Sequence, residues 1–114
     1  MNCVVITGSR DWTDAAAIEK RLEAEPPDTV FIEGGARGAD AVCRFWCSLH
    51  NRNHIRVDAN WEYYGNSAGV IRNGWMLDMR PRLVIAFWRN NSRGTADCIH
   101  QAEALGIPVE KHIR

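Results

Sequence analysis

The chain has 114 residues, a length that suits one domain with a real hydrophobic core. Its 14 basic residues balance its 14 acidic ones, which argues against broad duplex-DNA binding, because that usually leaves a strong basic excess. The basic residues are skewed, with 12 Arg against 2 Lys, and Arg forks match phosphate and carboxylate geometry. A localised anionic ligand is therefore compatible with a neutral chain.

Cys3–Thr7 ("CVVIT") reads as a buried strand ended by Gly8. A helix follows over Asp14–Glu25, with Thr13 as N-cap and Ile18 and Leu22 on one face. Pro26-Pro27 ends it. Thr29–Glu33 reads as the second strand, followed by the glycine stretch "GGARGAD" (Gly34–Asp40). Val42, Phe45, Trp46 and Leu49 recur at helical spacing and predict an amphipathic helix over Ala39–His50. Ile55–Asp58 is a short third strand. A loop holding Trp61, Tyr63 and Tyr64 leads to a helix over Ser67–Met79, with Ala68, Ile71 and Trp75 on one face. Leu83–Phe87 is the fourth strand. The last helix spans Thr95–Leu105, closed by Gly106, and Val109–Ile113 alternates as an edge strand.

Strands alternating with helices predict a parallel sheet covered on both faces. The fold class is α/β: a Rossmann-like three-layer sandwich with a mainly parallel five-stranded sheet in the order 3-2-1-4-5. Residues 1–114 contain no repeat, linker or low-complexity segment, so they read as one domain.

Ligands of open α/β sheets bind beyond the carboxyl ends of the strands, at the switch point. Three loops leave such ends here: Thr7–Trp12, Gly34–Asp40 and Arg89–Asp97. In the 3-2-1-4-5 order they line one crevice. The bare backbone of Gly34, Gly35, Gly38 and Gly94 is then expected to let N–H groups meet phosphate oxygens. Arg10, Arg37 and Arg72 are candidate phosphate ligands, and Ser9 and Thr95 candidate hydroxyl donors. Asp40 either accepts from a ribose hydroxyl or holds a loop. Trp12 and Trp61 offer base-stacking surfaces or packing. Arg89 and Arg93 are weaker candidates. No GxGxxG or Walker A motif is present.

The segments "TGSRDW", "EGGARGAD", "NWEYYGNSAGVIRNGWM" and "GTAD" resemble, in order and over nearly the whole chain, the YspA-like branch of the SLOG superfamily. That superfamily also holds the DprA/Smf proteins and the Lonely Guy phosphoribohydrolases. The resemblance implies a Rossmann-like fold that binds nucleotides or nucleotide-derived molecules, and a tendency to form homo-oligomers. Gly8, Ser9 and Arg10 match the first ligand loop; Gly34, Gly35, Gly38 and Asp40 match the second. Ala68, Gly69, Arg72, Asn73 and Met76 match the helix carrying an Arg-Lys pair in the Lonely Guy enzymes, with Asn73 at the Lys. Gly94 and Thr95 match the GT of those enzymes' PGGxGTxxE loop. Its Glu position holds Cys98 here, and the PGG is absent.

Hydrolysis of an N-glycosidic bond needs a group that activates water or protonates the leaving base, usually a carboxylate. Asp97 lies about 100° around the helix from Cys98. The expected activity is therefore non-catalytic binding of a nucleotide-derived small molecule, such as sequestration of a signalling nucleotide, with no catalytic residue and no cofactor. The alternatives are a Lonely Guy-type nucleotide N-glycosidase, favoured if Asp40 or Asp97 substitutes for the missing Glu, and a DprA-like DNA-processing role, disfavoured by the neutral charge.

Cys43, Cys47, His50 and His54 resemble a metal-ligand spacing, but His54 falls past the helix end and compact zinc sites form across turns. Buried thiols are the better reading, and no metal is expected. Met1–Cys3 offer no basic n-region, no run reaches membrane-spanning length, and free thiols suit a reducing compartment. A cytoplasmic location without membrane contact is expected.

Overall fold

A computed structural model describes residues 1–114. Five strands form one sheet: β1 (Cys3–Gly8), β2 (Val30–Glu33), β3 (Asn53–Arg56), β4 (Leu83–Trp88) and β5 (Val109–Ile113). They lie in the order β3-β2-β1-β4-β5. All four pairings are parallel, from Val30↔Asn53 at one edge to Val84↔Val109 at the other. The sheet is thus the expected one, wholly rather than mainly parallel.

Each central strand faces apolar groups on both sides. Val4 and Ile6 of β1 join Phe31, Ile85 and Phe87 in one core, while Cys3 and Val5 join Ile32 and Val84 in the other. Helices α1 (Ala15–Glu23) and α2 (Ala39–Leu49) cover the first face through Ile18, Leu22, Cys43 and Trp46. After a short helix, α3 (Trp61–Tyr64), the longer α4 (Ala68–Asp78) and α5 (Arg93–Ala104) cover the second through Met76, Leu77, Cys98 and Ala102. No helix is long and apolar enough to cross a membrane.

Several element boundaries differ from the sequence reading, each for a local reason. Asp14, not Thr13, caps α1, its carboxylate accepting from the Ala17 N–H at 3.1 Å. The β3 strand starts at Asn53, two residues early. The Trp61–Tyr64 loop is a helical turn, capped by Asn60, whose side-chain oxygen accepts from the Tyr63 N–H. A 3-10 turn over Gly65–Ser67 then leads into α4. On α2 the buried face runs through Ala39, Cys43, Trp46 and Cys47, so Phe45 and Leu49 stay exposed. The start of α5 is two residues earlier than expected, which adds Arg93 and Gly94 to its first turn beside Thr95 and matters for the site.

A basic crevice at the strand ends

The carboxyl ends of β1, β2 and β4 open into a cleft of about 410 Å³. Of the residues singled out from the sequence, Gly8, Arg10, Asp40, Arg72, Asn73, Gly94 and Thr95 line it. Gly34, Gly35 and Arg37 line a neighbouring hollow instead, which also includes Arg10 and Arg72. Ser9, Gly38, Ala68 and Gly69 line neither.

The β1 loop is clamped to the β4 loop. The Ser9 N–H donates to the Phe87 carbonyl at 2.9 Å. The fully buried Ser9 hydroxyl donates to the Arg89 carbonyl at 2.9 Å and accepts the Arg89 N–H at 2.7 Å. Ser9 thus fixes the crevice wall and does not face the space within it. Trp12 is likewise structural: it is 4% exposed, packs edge-on to Phe87, and its indole N–H donates to the Asp14 carbonyl at 2.9 Å.

The glycine loop after β2 has a different role from the expected one. The carboxylate of Asp40 accepts the N–H groups of Gly34 (3.1 Å) and Ala36 (3.2 Å). The fully buried Glu33 accepts the Gly35 N–H at 2.6 Å, and also binds Arg44 at 2.9 Å and His54 at 2.7 Å. These amides form an anion nest, and the protein's own carboxylates occupy it. The missing side chains make room for the protein itself. A Cβ on Gly34 would lie within 2.7 Å of the Arg72 guanidinium carbon, and one on Gly35 within 2.8 Å of Arg56. A Cβ on Gly38 would overlap the Ser9 and Arg10 carbonyl groups, and Gly38 has φ +70. The Gly34 and Gly35 amides, expected to meet phosphate oxygens, are thus engaged by the protein's own carboxylates.

Asp40 is 5% exposed, and its second carboxylate oxygen, Oδ1, is buried without a hydrogen-bond partner. Burial, followed by the nearby Glu33 charge, raises its pKa to about 6, against the opposing pull of the Ala36 amide, Arg72 and the Gly34 amide.

The loop after β4 is open. Gly94 has nothing within 4 Å of where a Cβ would stand. No side chain caps α5, so its first-turn amides are left for another partner. Arg89 and Arg93 line the cleft beside them. Arg93 and Arg10 make no ion pair, and Arg89 reaches Asp11 only at 3.8 Å. The extra two residues at the start of α5 are what bring Arg93 into the site; Ser92, a residue type favoured at N-caps, stands directly before them and was the available signal.

Between the two loops stands α4. Arg72 donates to the Gly34 carbonyl and, at 3.1 Å, to the Asn73 side-chain oxygen. Asn73 is 3% exposed and donates to the Gly94 carbonyl (3.2 Å) and to Asp97 (2.9 Å), tying α4 to α5. Cys98 is fully buried in the core under α5, and burial pushes its thiol up to about 12. Cys43 and Cys47 are buried thiols beneath α2, His50 stacks beside Trp46, and His54 is held by Glu33.

Fold and crevice together define a Rossmann-like α/β domain with a basic cleft at the topological switch point of its sheet. The profile of the YspA, cpYpsA-related SLOG family matches residues 3–64. The chain belongs to that family. It is 36% identical over 118 aligned positions to the Gene 61 protein of Mycobacterium phage D29, covering 96% of this chain and 94% of that one. Among solved structures, DNA processing protein A (DprA) from Streptococcus pneumoniae superposes with a TM-score of 0.64 at 16% identity over 96% of this chain. The UDP-GlcNAc 2-epimerase from Neisseria meningitidis superposes with a TM-score of 0.58 at 14% identity over 97%. The superposed chain spans only 58% of DprA and 32% of the epimerase, and at such identities the likeness is one of fold.

Proposed function

We propose that the crevice binds a nucleotide-derived small molecule and releases it unchanged, so that the protein sequesters its ligand. One observation carries this reading: the uncapped start of α5 opens beside Arg10, Arg72, Arg89 and Arg93 in a single cleft of about 410 Å³. Helix amides and guanidinium forks are the groups that hold phosphate. A volume of this size suits a small molecule. The epimerase of the same fold was solved bound to UDP-GlcNAc, a nucleotide sugar. The position of the hydrolases' glutamate holds a buried thiol that stays protonated at neutral pH, and Asp97 is engaged by Asn73 and Gln101.

A hydrolytic reading has one specific observation in its favour, the buried Asp40 with a pKa near 6 on the cleft wall, a value suited to general acid–base work. Mass spectrometry of ligand co-purified from cells, followed by chromatography after long incubation and heating, tests both readings. Intact nucleotide supports sequestration. Free base plus ribose phosphate, accumulating over many turnovers and lost in Asp40→Asn, overturns it. A DprA-like DNA role has no support from the chain's zero net charge.

Two further expectations belong to this proposal. Self-association is supported by the exposed Phe45 and Leu49 on α2, and sedimentation velocity tests it. A cytoplasmic location is supported by four buried, unpaired cysteines, and fractionation tests it.

A further inference from the structure

The loops after β2 and β3 border a second hollow of about 490 Å³. It shares Arg10, Ala36 and Arg72 with the cleft at α5, so the two form one trough divided by those residues. Charge is concentrated along it. Arg10, Arg37, Arg56, Arg72, Arg89 and Arg93 line the trough against only Asp11, Asp40 and Asp58, in a chain whose formal charge is zero.

The two ends differ in chemistry. The α5 end offers helix amides and arginines and only two hydrophobic lining residues. The other end offers Trp61, which is 52% exposed. One edge of its ring rests on Gly69, where a Cβ would come within 3.3 Å of it. That absence of a side chain gives the indole its seat. Arg37 stands near it, exposed and in no ion pair, and Arg56 is held by Asp58 at 2.7 Å. At the divide, Arg72 is fixed by the Gly34 carbonyl and Asn73, while Arg10 is free.

An anion-binding end, an arginine pair in the middle and an exposed indole at the far end match the parts of a nucleotide with two heads. We infer that this trough takes a dinucleotide. One phosphate sits at the start of α5, the bridging phosphate lies at Arg10 and Arg72, and the second base stacks on Trp61. The inference rests on the proposed nucleotide reading of the α5 cleft and adds a second subsite to it.

Titration calorimetry at low salt, with AMP and GMP against the 5′-phosphorylated dinucleotides pApA and pGpG, tests it. For the base that binds, the dinucleotide should bind about tenfold or more tighter than the mononucleotide, the scale of one base–aromatic stack. Trp61→Ala should remove that gain and leave the mononucleotide affinity unchanged, while Trp61→Phe should keep part of it. Melting curves for both variants check that they fold. Equal affinity of mono- and dinucleotide in the unaltered protein overturns the inference and leaves the α5 cleft standing. So does a gain that survives in Trp61→Ala. If a ribonucleotide decamer binds a further tenfold tighter per site, the trough is an open track for single-stranded nucleic acid and the inference is overturned. If no mononucleotide and no dinucleotide binds, the reading of the α5 cleft falls and this inference falls with it.

Discussion

The loop after β2 and the loop after β4 look alike as sequence: each carries glycine next to arginine at the end of an apolar strand. In the folded chain they are opposites. The β2 loop is closed, its amides taken by Asp40 and Glu33 and its missing side chains replaced by Arg72, Arg56 and the Ser9–Arg10 backbone. The β4 loop is open, with an uncapped helix start and empty space over Gly94. A glycine shows that something approaches the backbone. Whether that is a ligand or the protein itself depends on which carboxylates and guanidiniums lie within reach.

Glycine substitutions should separate the two loops most strongly. Gly38→Ala forces a side chain into a backbone conformation with φ +70 and against two carbonyl groups. Strain and overpacking each cost about 1–3 kcal/mol, so melting should fall by roughly 10 °C or more. Gly94→Ala meets nothing within 4 Å and should leave the melting temperature within about 2 °C. It should nonetheless weaken nucleotide binding, because Gly94 lines the cleft and the added methyl group takes up space there. A Gly38→Ala protein as stable as the parent would show that the β2 loop is not closed by close packing.

On the closed side, Asp40 makes stability depend on pH. Its pKa of about 6 in the folded protein lies above the ordinary aspartate value of 3.8. Between those values the folded chain binds more protons than the unfolded one, so this group's contribution to stability falls as pH rises from about 4 to about 6. Above pH 6 the penalty is constant. Two pKa units correspond to about 3 kcal/mol. Denaturant unfolding of Asp40→Asn and the parent should therefore show a stability difference that shifts toward the variant by up to that amount across this window. A pH-independent difference would place Asp40 in an ordinary ionised state. Anion binding should strengthen in the same direction, toward lower pH, as the carboxylate on the cleft wall loses its charge.

On the open side, Arg93→Ala and Arg10→Ala remove guanidiniums that form no ion pair, so stability should hold within about 0.5 kcal/mol. Affinity for the nucleotide should drop by about 1–3 kcal/mol, the scale of a hydrogen bond to a charged group. Calorimetry alongside melting separates the two quantities. Arg72→Ala is a poorer probe, because Arg72 also holds the Gly34 carbonyl. Unchanged affinity in both Arg93→Ala and Arg10→Ala would close the β4 loop as a ligand site.

The parts of this molecule set by periodicity were readable from the sequence. Apolar runs of four to six residues alternating with helical patterns specify the parallel sheet, and 3-2-1-4-5 is one of the two common doubly-wound orders that such an alternation permits. The loops that meet at the switch point were readable for the same reason. What could not be read were partnerships across the chain. Phe45 and Trp46 look equivalent on a helical wheel, yet only Trp46 points at Phe31 of β2. Glu33 ends an apolar strand directly before two glycines, and a buried carboxylate beside bare amides was the available signal for a filled nest. Cys98 aligns with a catalytic position of related enzymes, but it faces the core, which no spacing argument reveals.

A second carboxylate, Asp11, blunts the cleft on its open side. Asp11 lines the cleft, accepts from the Asn90 side-chain amide at 2.6 Å and sits 3.8 Å from Arg89. Both partners of that pair are substantially solvent-exposed, with side chains 40% and 52% accessible, so the pair adds little to stability. Its negative charge still opposes any anion that enters. Asp11→Asn keeps an oxygen for Asn90, frees Arg89 and removes that charge. Nucleotide affinity should rise by about two- to threefold at low salt, with melting unchanged. The gain should shrink at about 0.5 M salt, where screening confines charge effects to a few ångströms. A gain that persists at high salt would mean that the substitution reshapes the loop and does not act through charge. A loss of affinity would mean that Asp11 holds Arg89 in its binding position, so the β4 loop would also depend on an internal carboxylate, as the β2 loop does.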